Sequence, residues 1–190
     1  LMNIAGVVNK EYPDRSIVDI IWFPTGGGKT EAYLGLTAFV ICLRRLNNAV
    51  DAGTSVLMRY TLRLLTAQQF QRASTLILAL DILRRQDFMD ADLGTEPISI
   101  GLCVGKSLSP NKCDDATIAL RNMQGKSRVE NPFQVLECPW CKADFTMRGQ
   151  MGYVAERVSP ESRQNTVLFR CPDPQCRWHG DGVRLPIIVI

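Results

Sequence analysis

Phe23-Pro24-Thr25-Gly26-Gly27-Gly28-Lys29-Thr30 is the stretch that decides the fold of this chain. Three successive glycines leave the backbone N–H groups free to curl around an anion. The residues before them, Ser16–Phe23, form a short and nearly continuous apolar run, which predicts a buried parallel strand. The residues after them have helical spacing. Ala32, Leu36, Phe39, Val40 and Leu43 fall on one stripe of a helix over Thr30–Leu46. Strand, glycine turn and helix N-terminus together make a phosphate cradle. Thr25, Gly26, Gly27, Gly28, Lys29, Thr30 and Glu31 are its candidate residues. Lys29 is placed to reach the β- and γ-phosphates of ATP, and Thr30 to offer its hydroxyl to Mg²⁺. The usual pattern begins with glycine, and here that position is Phe23.

Working outward, the same alternation repeats. Ser55–Tyr60 predicts a second strand and Leu62–Arg85 a long helix. That helix turns Leu65, Leu76, Ile77, Leu80 and Leu83 inward and leaves Arg63, Gln71, Arg72, Asp81 and Arg84 outside. Ile98–Val104 predicts a third strand, and Asp114–Met123 a short helix with two acidic residues at its start. The order β-α-β-α-β-α is that of an α/β fold with a parallel sheet and crossover helices.

From about residue 130 the helical period disappears and cysteine and proline become frequent. Short extended runs at Gln134–Glu137, Tyr153–Val158 and Thr166–Arg170 alternate with turns. Cys138-Pro139-Trp140-Cys141 and Cys171-Pro172-Asp173-Pro174-Gln175-Cys176 form two tight cysteine pairs. Two such knuckles can close a tetrahedral site of four sulfurs around Zn²⁺, with no position open for catalysis. His179 is a possible substitute ligand, and an iron–sulfur cluster is a rival occupant. Trp140, Lys142, Arg148, Arg170, Arg177 and Trp178 either present rings and charge to DNA or merely cover the module. Cys42, Cys103 and Cys113 have no partner at ligand spacing. The expected organisation is a P-loop core over 1–129, a four-cysteine zinc-binding insert over 130–182, and a return strand of the core over 183–190.

The 190 residues are 46% hydrophobic and 22% charged, with a net charge of +3, values of an ordinary globular domain. The charge is too small to argue for nucleic acid by itself. No apolar run approaches the roughly 20 residues of a membrane span, and no signal-peptide pattern opens the chain. A cytoplasmic location with reduced cysteines is therefore expected. The chain opens without Met and stops in the apolar run Leu185–Ile190. We expect it to be a fragment of a longer protein, because a bare core strand needs cover on its faces and edge.

Pro24-Thr25-Gly26-Gly27-Gly28-Lys29-Thr30-Glu31 resembles motif I of the superfamily 2 helicases and translocases. In that family the first RecA-like domain carries motif I, then motif Ia, then an Asp-Glu motif II on a later strand. Arg59-Tyr60-Thr61-Leu62-Arg63-Leu64-Leu65-Thr66-Ala67-Gln68-Gln69 resembles motif Ia, with Tyr60 in place of the usual Pro. The resemblance implies that Arg59, Thr61 and Arg63 grip a nucleic-acid backbone. A hydroxyl and cations at a helix start suit phosphate and read no base. Surface cations on an ordinary helix cap are the plainer alternative. Taken together, Trp22–Leu36 and Arg59–Arg72 are most similar to the DrmA-like helicase subunits of the DISARM antiphage system. The resemblance implies ATP-dependent action on DNA beside other defence-system subunits, with motif II just beyond Ile190. This fragment alone is then expected to be almost inactive as an ATPase. The sequence leaves open DNA or RNA, and unwinding or translocation. The other readings are a P-loop switch or clamp whose zinc module binds a protein, and a zinc-ribbon module with a vestigial loop.

Overall fold

The computed structural model describes residues 4–18, 27–59, 63–86, 92–104, 109–110, 112–124, 131–146, 151–158 and 160–189. Helix α1 (Ile4–Val8) is followed by a single 3-10 turn, Pro13–Ser16. Two long helices come next, α2 (Lys29–Asn47) and α3 (Arg63–Arg84). Strand β1 (Ile100–Leu102), helix α4 (Cys113–Gln124), the hairpin β2 (Tyr153–Arg157) and β3 (Asn165–Phe169), and strand β4 (Ile187–Val189) complete the order. Strands β1 and β4 pair in parallel, Ile100 opposite Ile187 and Leu102 opposite Val189. The chain is thus mixed α/β with a small parallel sheet, and 187–189 returns beside β1.

Helix α2 starts at Gly28, whose φ of 74° is the left-handed conformation that favours glycine. Glu31 lies in its first turn and Arg44 and Arg45 in its last, each complementing the helix dipole. The turn beyond it is held by Arg44, which donates to both carboxylate oxygens of Asp51 and to the Thr54 carbonyl. Arg45 is buried and donates to the carbonyls of Ala49 and Leu93. Gly94 lies against this arginine at φ 80°. A Cβ there would collide with the Ala49 carbonyl, so glycine is needed for space as well as conformation.

Helix α3 is buried on two sides. Ile77 and Leu80 meet Ile41 of α2 and Ile98, while Phe70, Leu78 and Ile82 join a second cluster with Leu102 and Leu120. That second cluster continues without a break into Phe133, Phe145, Tyr153, Phe169 and Trp178. A helix apolar on most sides is a central one, and each such side chain contributes about 1.5–3 kcal/mol.

Four sequence expectations are corrected. Asp81, expected outside, is fully buried. Its Oδ1 accepts from the Ile98 N–H at 3.0 Å and from Arg84 Nε at 2.7 Å, and its Oδ2 pairs with Arg85 at 2.6 Å. A charge tolerates burial when so partnered. Arg84, also expected outside, is drawn in with it and donates to the carbonyls of Gly94 and Thr95. Residues 55–59 do not form a strand. Their backbone is irregular, and Leu57 is 89% exposed where a buried strand would cover it. The run expected over Gln134–Glu137 is extended only at its end, where Glu137 bridges Asp144 in antiparallel fashion; at its start Gln134 has φ 61° and the Val135 N–H closes on the Phe133 carbonyl. The strand expected over Ser16–Phe23 lies mostly outside the described residues. Its first residue, Ser16, closes the 3-10 turn.

Candidate metal centre and phosphate-binding loop

Four sulfurs meet under the hairpin. The Sγ atoms of Cys138, Cys141, Cys171 and Cys176 all lie within 4.8 Å of one another. The first knuckle is closed by the Cys138 N–H donating to the Ala143 carbonyl and the Lys142 N–H donating to the Cys138 carbonyl. Lys142 takes a left-handed φ of 68° to make this turn. In the second knuckle the Cys176 N–H donates to the Asp173 carbonyl, and the Trp178 N–H points at the Cys176 sulfur. The second knuckle is closed by the Cys171 N–H, which donates to the Trp178 carbonyl, and the two knuckles meet where Cys141 Sγ lies 3.4 Å from Cys171 Sγ. Beneath them lies the ring cluster, with Tyr153 4.8 Å from Phe133, 5.5 Å from Phe145 and 5.7 Å from Phe169 between centroids.

The electrostatics follow from burial. It pushes the Cys138 thiol up to about 11, against the pull of the Cys141 and Trp140 N–H groups. Burial likewise raises Cys171 and Cys176. Cys141 is more exposed and goes the other way. Burial raises it, but the Ala143 N–H and the neighbouring sulfurs outweigh that and leave it below the usual thiol range. Four thiolates this close repel one another unless a cation sits among them.

The donor set fits a single ion. Zn–S bonds of about 2.3 Å place tetrahedral sulfurs roughly 3.8 Å apart, within the spread seen here. The four cysteines could therefore hold a metal ion such as zinc. An iron–sulfur cluster spreads its cysteines over several irons and holds their sulfurs farther apart than one ion does. His179 is not among the ligands. Its Nδ1 is 2.8 Å from the Cys171 carbonyl, a contact that braces the second knuckle.

The charge and rings around the module are mostly committed. Trp178 is 1% exposed and packs in the core, so it cannot stack on a base. Arg170 pairs with Glu156 and Asp181, and Lys142 with Glu137. Trp140 is exposed, as is Arg177. Arg148 lies outside the described residues.

The glycine loop leads into α2, whose first turn meets α3 at Arg72, next to Gln71. Gly27 and Gly28 are exposed, and Lys29 and Thr30 are half-buried in the first turn of α2. The Ala32 N–H donates to the Gly28 carbonyl and fixes that turn. A Cβ on Gly28 would meet nothing closer than Glu31 Oε2 at 4.0 Å, so here conformation alone asks for glycine. Glu31 pairs with Arg72 of α3. Thr25, Gly26 and Thr61 lie outside the described residues, as does the side chain of Arg63, whose backbone opens α3. Arg59 is exposed.

Sequence reading missed Gln71 and Thr75 as contacts to the module. Gln71 Nε2 donates to the carbonyl and to Oε1 of Glu137, and Thr75 Oγ1 to the Pro139 carbonyl at 2.9 Å. Their spacing of four residues, which puts both on one helix face, is the signal that could have found them.

Among the described residues no helix is long and apolar enough to cross a membrane. No family profile matches the chain. No solved structure matches it either. The chain spans only 13% of the length of the curated relative it matches. That relative is the DISARM protein DrmA of Bacillus paralicheniformis, to which this chain is similar at 42% identity over 151 residues, 74% of its own length.

Proposed function

We propose that these residues form the nucleotide-binding part of an ATP-dependent superfamily 2 DNA helicase or translocase that works in antiphage defence. The observation that carries this is Gly28, which turns left-handed just before Lys29 and Thr30 enter a long helix. A helix N-terminus opened in this way presents its first N–H groups to an anion, and on this reading Lys29 would reach the β- and γ-phosphates of ATP bound there. Thr30 would hold Mg²⁺ against the same phosphates, and Thr25, Gly26, Gly27 and Glu31 would complete the loop. Arg59, Thr61 and Arg63 would hold a DNA backbone at the start of α3. The similarity to DrmA supports the defence role and suggests other DISARM subunits as partners. On this reading 1–129 and the return strand 183–190 belong to one RecA-like core, working in the cytoplasm. The stretch 130–182 is an insert that holds structural Zn²⁺.

A direct test uses the full-length protein. DNA-stimulated ATP hydrolysis should be lost in Lys29→Ala, by about a hundredfold or more, and DNA stimulation should weaken in Arg63→Ala. Unchanged hydrolysis in Lys29→Ala would sink the loop assignment. An exposed Trp140 on a module whose Lys142 and Arg170 are already paired with carboxylates supports a second reading, in which the module docks a protein rather than DNA. In that case Trp140→Ala leaves DNA affinity unchanged and releases a defence-system subunit.

A further inference from the structure

We propose that the metal centre is a clamp on α3, and that Gln71, Thr75 and Arg72 carry its hold to the first turn of α2. Both knuckles touch α3, at separate places. The first engages Gln71 through Glu137 and Thr75 through Pro139. The second presents Trp178, whose ring lies 5.1 Å from the Arg85 guanidinium just past the helix end. From Gln71 to Arg85 the helix rises about 20 Å. One ion among four sulfurs would tie both knuckles together, so it holds α3 at its middle and just past its C-terminal end at once.

Arg72 follows Gln71 directly and pairs with Glu31, two residues after Lys29. Both members of this pair are exposed, so it contributes little when its partners move freely. It becomes worth more when α3 is fixed, because less side-chain and helix freedom is lost in forming it. Gln71, Thr75 and Arg72 are thus positioning residues, and their effect on nucleotide rests on the phosphate-loop reading above.

The test compares full-length parent, Gln71→Ala/Thr75→Val, Arg72→Ala and the triple variant. Metal content is measured by elemental analysis and Mg-ATP affinity by titration. The cysteines are untouched in all four, so each variant should keep the parental metal content. Affinity should fall about three- to tenfold in both the double variant and Arg72→Ala, the scale of one or two hydrogen bonds. The triple variant should lose no more than the worse of the two, because the contacts act in series. Amide exchange over Phe70–Leu78 should quicken in the double variant and in parent stripped of metal. Parental affinity and parental exchange in a metal-replete double variant would overturn the clamp and leave the loop reading intact. Fully additive losses would overturn the single path. A parent that binds no Mg-ATP would overturn the loop reading and the path to α2 together, while the exchange data still decide the clamp.

Discussion

Tyr153 hydroxyl sits at the bottom of the ring cluster, donating to the Val135 carbonyl and accepting from Asn131 Nδ2, both at 2.6 Å. Burial pushes its pKa up to about 12, although the Asn131 contact pulls the other way. In the unfolded chain the phenol ionises near pH 10. The folded protein therefore gains a stabilisation that is complete below pH 10 and lost as pH rises through about 12. The loss should amount to about 2–3 kcal/mol, read as a falling denaturation midpoint between pH 9 and 12. Tyr153→Phe should flatten that fall. An alkaline loss of the same size in the variant would remove Tyr153 as its cause. The start of β2 at Tyr153 was legible from local pattern. Its ring partners at 133, 145 and 169 were not, because nothing local links positions so far apart in sequence.

Helix α3 owes its place to polar contacts as much as to apolar ones. Asp81 joins it to the loop before β1 by accepting from the Ile98 N–H, and it pairs with both Arg84 and Arg85. Asp81→Ala would strand a largely buried guanidinium and a buried N–H. A loss of about 3–5 kcal/mol in chemical denaturation is expected, with a smaller loss for Asp81→Asn, which keeps the acceptor. Parental stability in Asp81→Ala would show that the network contributes nothing. The existence and length of α2, α3 and α4 followed from helical spacing and end signals, and the structure places them within two residues of the expected bounds. Burial of α3 on both sides did not follow. Leu76, Ile77, Leu80 and Leu83 mark one stripe so clearly that Leu78 and Ile82 were not given a second one. The segment 55–59 has a strand's composition but an irregular backbone, and composition alone does not decide whether a strand forms.

At the scale of the whole molecule, the four cysteines join pieces that are distant along the chain. The candidate metal site was legible because two tight cysteine pairs at this spacing match the knuckles of a four-sulfur site. What could not be read was that its module shares one continuous core with α3 and α4, since spacing fixes ligands and says nothing about what they rest against. Removing the metal should therefore disturb more than the two knuckles. Chelation should lower the thermal midpoint by more than about 10 °C and shift tryptophan emission to the red as Trp178 meets water. Acidification should do the same as the thiolates take up protons. Unchanged emission after verified metal removal would show that the core holds without the ion.

The parallel pair β1 and β4 joins Ile100 to Ile187 across most of the second half of the chain. Such a closure is slow, because a long loop must lose its freedom before the pairing returns anything. Both knuckles, at 138–141 and 171–176, leave the ribosome before β4 does. An ion captured at that stage gathers the intervening chain into a compact bead and brings the two strands near each other. Metal supply during synthesis would then set how quickly the sheet closes, and how long β1 waits with an open edge.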